Sequence, residues 1–222
     1  MFPSLMPIRR RLAAMVLILG AAAPFILAVS GAAAADTKIL ALGDSLTAGY
    51  GLKQGEGFAD QLQTAFRKMG RPVTVINGGV SGDTSAGGLA RIDWALGDQP
   101  QVVIVELGAN DMLRGVSPDS IRANLAAIIA KAKAAGAKVL LCGMKAQRNL
   151  GPDYVAQFDA IYPDLAKQEG VTLYPFFMDG IIQPDGTADR ALLQGDGLHP
   201  TEAGAALIVQ RILPVLLPLL GS

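Results

Sequence analysis

The 222-residue sequence has one cysteine and one histidine, and only 5% of it is aromatic. A lone cysteine rules out an intramolecular disulfide. Cys142 lies in the apolar run Val139-Leu140-Leu141-Cys142, which reads as a small buried core residue rather than a thiol nucleophile. A lone histidine rules out any metal site built on two or more His or Cys ligands. Any imidazole chemistry must use His199. No metal or other cofactor is expected. So few aromatics leave few platforms for stacking sugars or bases. Trp94, the only tryptophan, falls within a helical pattern and is expected to pack there. Three motifs are missing as well. Without G-x-S-x-G there is no α/β-hydrolase elbow, and without G-x-x-x-x-G-K-[ST] or G-x-G-x-x-G nucleotide binding lacks support.

Charge of neither sign dominates: basic and acidic residues each number 19. The first 35 residues read as a signal peptide. Arg9-Arg10-Arg11 form a positive region, residues 12–35 carry no charge, and Ala33-Ala34-Ala35 offer a small-residue cleavage site before Asp36. Those 24 uncharged residues could span a bilayer, so an uncleaved anchor is the alternative. Pro24 and the alanine-rich end favour cleavage. Three consecutive arginines raise a twin-arginine route, but the rest of that signal is not evident. No cysteine follows the cleavage site, which argues against a lipoprotein anchor. The expected location is the periplasm or the medium, with no stable membrane insertion after cleavage. Residues 36–222 keep 16 bases and all 19 acids, a net charge of −3, because the removed segment holds three arginines and no acid. With no basic stripe, nucleic acid is not expected as a partner. These 187 residues suit one globular domain, and nothing in them signals an oligomeric state.

Apolar and β-branched runs at residues 38–42, 72–77, 102–107, 138–142 and 171–174 read as strands. Between them lie helical patterns at residues 57–69, 85–96, 117–135 and 154–168, and a last helix covers 201–213. Residues 102–107 are uniformly apolar except Glu106, as in a strand buried on both faces. The tail 214–220 holds two prolines and reads as too short to span a membrane and too proline-rich for a long helix. Strands alternating with helices imply an α/β fold: a flavodoxin-like three-layer α/β/α sandwich on a five-stranded parallel sheet, order 2-1-3-4-5. In that order Ser45 stands at the switch point between strands one and three, where ligands bind.

Ile39-Leu40-Ala41-Leu42 runs straight into Gly43-Asp44-Ser45-Leu46, and Gly43 is expected to permit a sharp turn. A serine there is a weak nucleophile unless a base sits beside it. Three other loops reach the same sheet edge. They carry Gly82, Asn110, and Asp196 with His199. Asp196 and His199 are three residues apart across a glycine-containing turn. The carboxylate can then accept from Nδ1–H while Nε2 faces Ser45 as base and later acid. The N–H groups of Ser45 and Gly82 and the Asn110 amide could converge on an oxyanion. Each residue also has a plainer reading: Ser45 as a helix cap, Asp196-Gly197 as a common turn, Asn110 as a loop cap. These readings are independent and do not explain why all four loops share one edge.

Gly43-Asp44-Ser45-Leu46, Gly82 in Val80-Ser81-Gly82-Asp83-Thr84, Gly108-Ala109-Asn110-Asp111 and Asp196-Gly197-Leu198-His199-Pro200 resemble, in order, the four blocks of the SGNH (GDSL) hydrolases. Val105-Glu106-Leu107-Gly108, Leu113-Arg114-Gly115 and residues 160–167 are similar to the bacterial periplasmic thioesterase, lysophospholipase and arylesterase group. The resemblance implies a serine hydrolase acting on small-molecule esters or thioesters. It implies Ser45 as nucleophile, Asp196 and His199 as its triad partners, and Ser45, Gly82 and Asn110 as oxyanion donors. Substrate-pocket candidates are Asp44, Met112, Leu113, Met144, Ala146 and Leu198. Long-chain members tend to carry a bulky apolar residue and a proline after strand four. Here that loop is Met144-Lys145-Ala146-Gln147-Arg148-Asn149-Leu150, a small polar lip that leans toward short acyl or aryl esters. Two other readings stand beside this one: a deacetylase of O-acetylated sugars, which would favour exposed aromatics, and a catalytically silent binding module, which loss of a triad residue would mark.

Overall fold

The computed structural model describes Met1 and residues 36–183 and 185–221. The expected signal segment lies outside the described residues, Met1 excepted. Five strands form one parallel sheet: β1 (Thr37–Gly43), β2 (Val73–Gly79), β3 (Val102–Glu106), β4 (Lys138–Cys142) and β5 (Thr172–Tyr174). Their order is β2-β1-β3-β4-β5. β1 is central, pairing Gly43 with Gly79 of β2 on one side and with Glu106 of β3 on the other. Every residue of β3 is buried, as its apolar run requires.

Among the described residues seven α-helices follow in chain order: α1 (Ser45–Ala48), α2 (Phe58–Lys68), α3 (Ser85–Ala95), α4 (Ala109–Leu113), α5 (Pro118–Ala134), α6 (Pro152–Glu169) and α7 (Glu202–Leu216). α5 illustrates how the sequence writes them. Ser117 Oγ accepts from the Ser120 N–H at 3.3 Å, Pro118 opens the helix, and Lys131 and Lys133 sit near its negative end. Ile121, Leu125, Ile128, Ile129 and Ala132 recur at helical spacing and are buried. α3, α5 and α6 pack side by side, and α2 packs against α7. Right-handed crossovers in this strand order put those two groups on opposite faces of the sheet. Cys142 is buried in the core.

Two expectations need correction. The helical run does not stop before Pro214; α7 continues to Leu216 and passes into a 3-10 turn over Leu217–Leu220. Proline costs a helix the hydrogen bond to the carbonyl four residues back, and near a helix end only that one bond is lost. The run Glu202–Leu220 is long and apolar enough to cross a bilayer, but Ala205, Ile208, Val209, Ile212 and Leu216 are buried. Trp94 does not pack; it is 84% exposed. Ile92 and Ala95 point inward from the same helix. A residue two positions beyond Ile92 falls near the opposite face.

Candidate active site

The end of β1 delivers Ser45 to the carboxyl edge of the sheet. Gly43 has no left-handed backbone, so the turn does not demand glycine for its dihedral angles. It demands the missing Cβ, which would overlap the Thr47 hydroxyl and the Glu106 carboxyl group. Asp44 then caps α1, its Oδ1 accepting from the Leu46 N–H at 3.0 Å. Ser45 is the first helical residue, and the N–H groups of a first helical turn have no partner within the helix.

His199 lies 154 residues along the chain from Ser45, yet its Nε2 is 2.9 Å from Ser45 Oγ. Its Nδ1 is 2.6 Å from Asp196 Oδ2. The other oxygen of Asp196 accepts from the N–H groups of Leu198 and His199 at 2.9 and 3.1 Å, so the carboxylate spans its own turn. With Nδ1 carrying the proton toward Asp196, Nε2 is left to accept from the serine hydroxyl. The His199 bond, then those two N–H groups, hold the Asp196 carboxyl down at about 2. The segment is fixed from behind by Gln194. Its N–H donates to the His199 carbonyl at 2.7 Å, and its Nε2 donates to the carbonyls of Tyr50 and Pro200. The Tyr50 ring lies 4.6 Å from the imidazole.

Two more loops reach this point. Gly82 follows β2 with φ +82°, a conformation that favours glycine. The Val80 N–H donates to the Gly43 carbonyl at 3.0 Å, and Arg114 Nη2 donates to the Gly82 carbonyl at 2.8 Å. The strongest tie is Arg91 of α3. Its guanidinium donates to the Gly43 carbonyl at 2.9 Å, the Gly78 carbonyl at 2.7 Å and Asp83 Oδ2 at 2.8 Å. One side chain thus joins the ends of β1 and β2 to the Gly82 loop. Asn110 stands in the first turn of α4, which Asp111 secures by accepting from Ser85 N–H and Oγ–H at 2.7 and 2.6 Å. Asn110 Nδ2 donates to Asp44 Oδ2 at 3.0 Å. A primary amide has two hydrogens, so one remains for a substrate oxygen. Burial pushes the Asp44 carboxyl up to about 6, against the pull of the Leu46 N–H, the Asn110 amide and His199.

Beside Ser45 opens a cleft of about 350 Å³. Asp44, Met112, Leu113, Met144 and Leu198 line it, as does His199. Ala146 does not: it is buried beside a neighbouring hollow, where its N–H donates to Asp159 Oδ1 at 2.8 Å. The small residue of the lip therefore does not shape the cleft. Phe176, Met178 and Ile182 do, and they come from the segment after β5. The apolar run Phe176-Phe177-Met178 inside a loop-rich region is the sequence signal that could have marked them. Lys145 stands at the edge, its Nζ 5.7 Å from the centre of the Phe176 ring. Trp94 lies outside the lining.

Residues 41–207 match the model of the GDSL-like Lipase/Acylhydrolase family. Esterase TesA of Pseudomonas aeruginosa is 41% identical over 188 residues, 84% of this chain and 91% of that protein. Thioesterase 1/protease 1/lysophospholipase L1 of Escherichia coli K12 is 40% identical over 192 residues, 86% of this chain and 88% of its own length. The solved structure of the psychrotrophic esterase EstA from Pseudoalteromonas sp., inhibited by monoethylphosphonate, superposes with a TM-score of 0.77 at 35% identity, covering 84% of this chain and 100% of that one. Similarity of this extent runs through the strands and loops that build the cleft, and the chain therefore belongs to the GDSL-like lipase/acylhydrolase family, the SGNH hydrolases, and is a hydrolase of carboxylic esters and thioesters.

Proposed function

We propose that Ser45 is the nucleophile of a two-step acyl transfer to water. Ser45 Oγ attacks the substrate carbonyl as its proton passes to His199 Nε2. The oxyanion is held by the N–H groups of Ser45 and Gly82 and by the free hydrogen of the Asn110 amide. Collapse expels the alcohol or thiol, which takes the proton back from Nε2. Water, activated by the same nitrogen, then cleaves the acyl-enzyme. Asp196 stays ionised and keeps Nδ1 protonated. The observation that carries this reading is the line from Asp196 Oδ2 through both imidazole nitrogens to Ser45 Oγ, with gaps of 2.6 and 2.9 Å. The test is Ser45→Ala assayed on 4-nitrophenyl acetate, with circular dichroism as the control for folding. Loss of turnover in a folded protein is expected; near wild-type turnover overturns the assignment.

The substrates are small molecules, and we read their acyl or aryl part as short. A cleft of about 350 Å³ lies at the small end of ligand pockets, roughly 300–1,000 Å³. Its lining of Met112, Leu113, Met144, Phe176 and Met178 suits an apolar group. A chain-length series of 4-nitrophenyl esters and acyl-CoA thioesters should peak at short chains, and a steady rise to long chains overturns this. The sugar-deacetylase reading calls for aromatic platforms: Trp94 stands away from the cleft, and the exposed Tyr50 ring beside His199 is a single one. The proposal of export rests on residues 1–35 alone. N-terminal sequencing of the protein from a periplasmic fraction should begin at Asp36, and an intact segment in the membrane pellet overturns cleavage.

A further inference from the structure

Glu106 closes β3 directly under the nucleophile turn, and the reaction just described does not use it. Its side chain is fully buried. Oε2 accepts from the Thr47 hydroxyl at 2.7 Å and from the Asp44 N–H at 3.2 Å. Oε1 has no partner among the described residues. Three ionisable groups face it: the Asp44 carboxyl from the turn, the Cys142 thiol from β4 and the Tyr162 phenol from α6. None is a cation. Tyr162 is committed elsewhere, its hydroxyl donating to the Leu107 carbonyl at 3.0 Å.

This pattern suits an acid better than an anion. A buried carboxylate wants its charge paired and both oxygens satisfied. Here one oxygen is doubly used and the other is bare. A carboxylic acid has one carbonyl oxygen with two lone pairs, which the two donors fill, and one hydroxyl, whose unmatched proton costs far less than an unpaired buried charge. We propose that Glu106 is a neutral carboxylic acid and a positioning residue, whose carbonyl oxygen holds Thr47 and the Asp44 N–H and so fixes the first turn of α1 under Ser45. Burial, with the Asp44 carboxyl close by, holds Glu106 well above the usual carboxylate range. The proton on Glu106 leaves the charge to Asp44, which needs it to accept from both Leu46 and Asn110. Two adjoining carboxyls in one buried site cannot both ionise cheaply, and divided roles are the usual result.

The positioning half of this proposal rests on Ser45 being the nucleophile; the neutrality of Glu106 does not. Neutrality is tested by infrared spectroscopy of the whole protein at neutral pH, with isotope-labelled glutamate to assign the bands. A protonated-carboxyl stretch that disappears in Glu106→Gln is expected. Finding only carboxylate bands overturns it. Positioning is tested by kinetics. Glu106→Gln keeps a carbonyl acceptor and should hold kcat within about threefold of wild type, while Glu106→Ala should lose about tenfold or more in kcat with KM nearly unchanged. Rescue by Gln is the readout that a merely space-filling role would not give. Equal losses in Gln and Ala, or no loss in Ala, overturn positioning. If Glu106→Ala does not fold, the Gln variant and the infrared bands still decide. Labelling with an ethyl phosphonate ester separates the two readings. Wild type that leaves Ser45 unlabelled overturns the nucleophile and positioning together, with the infrared result untouched. Labelling at the wild-type rate in Glu106→Ala overturns positioning alone.

Discussion

If the Asn110 amide stabilises the oxyanion, its aim depends on Asp44. One hydrogen of Nδ2 is held by Asp44 Oδ2 at 3.0 Å, and that bond orients the other. The two residues should therefore act as one unit, which a double-mutant cycle can measure. Asn110→Ala removes the donor and should lower kcat by about 10²–10³. Asp44→Ser is the cleaner partner change, since a serine oxygen can still cap α1 at the Leu46 N–H but does not extend to Asn110. It removes a hydrogen bond to a charged group, worth about 1.5–3 kcal/mol, and that corresponds to a loss of roughly 10–150-fold in kcat. In the double variant there is no amide left to aim. Its kcat should then match Asn110→Ala to within about threefold, rather than the product of the two losses. The assay is steady-state hydrolysis of 4-nitrophenyl acetate, with urea unfolding to confirm a folded state. Losses that multiply would refute the coupling and leave Asp44 as a helix cap only.

Other outcomes follow from the same geometry. Gly43→Ala drives a methyl into Thr47 and Glu106 and should destabilise by about 1–3 kcal/mol, as overpacking does, read as a lower melting temperature; an unchanged Tm means the turn can shift to make room. Arg91→Met strands two carbonyls and a half-buried carboxylate, so it should cost about 3 kcal/mol or more and reduce kcat as the Gly82 loop loosens; a stable, fully active variant refutes the clamp. Asp44 gives a signed pH effect. Its carboxyl is 1% exposed and raised to about 6 in the fold, so its share of stability is complete below the unfolded value of about 3.9 and is lost as pH rises through 6. That is at most about 3 kcal/mol, seen as a pH-dependent gap in urea stability between wild type and Asp44→Ser; a gap that does not change between pH 4 and 7 overturns it.

The strands were legible because a parallel sheet covered on both faces needs unbroken apolar runs, and 102–107 is one. The triad residues were legible as candidates because strand ends and glycine turns mark one edge. α1 and α4 were not, since helices of four and five residues are too short to carry a period of 3.6. Arg91 was hidden for a different reason. Two of its three bonds go to backbone carbonyls, one of them 48 residues away, and a carbonyl leaves no mark in a sequence. Glu106 looked like an interruption of a strand, and nothing in the sequence marked Thr47 as its partner. Trp94 was legible in principle, because it is out of phase with Ile92 and Ala95. Ala146 and Met144 line different hollows, and in a loop without a regular period the sequence gives no sign of which side a residue takes.

The base and its orienting acid occupy one four-residue turn, and the nucleophile lies 154 residues earlier. The reactive centre is thus made of two pieces that meet only when the chain closes on itself. The pairing of β1, β3 and β4 leaves Ser45 on a finished edge with no imidazole beside it. The later piece is carried in by α7 lying against α2 and by Gln194 reaching back to the Tyr50 carbonyl. Contacts this distant in sequence carry a loop-closure cost that local ones do not. A chain cut between Tyr174 and Asp196 retains its sheet residues and its serine but has no tethered base. Chemical competence is therefore withheld until the last segment of the chain has docked.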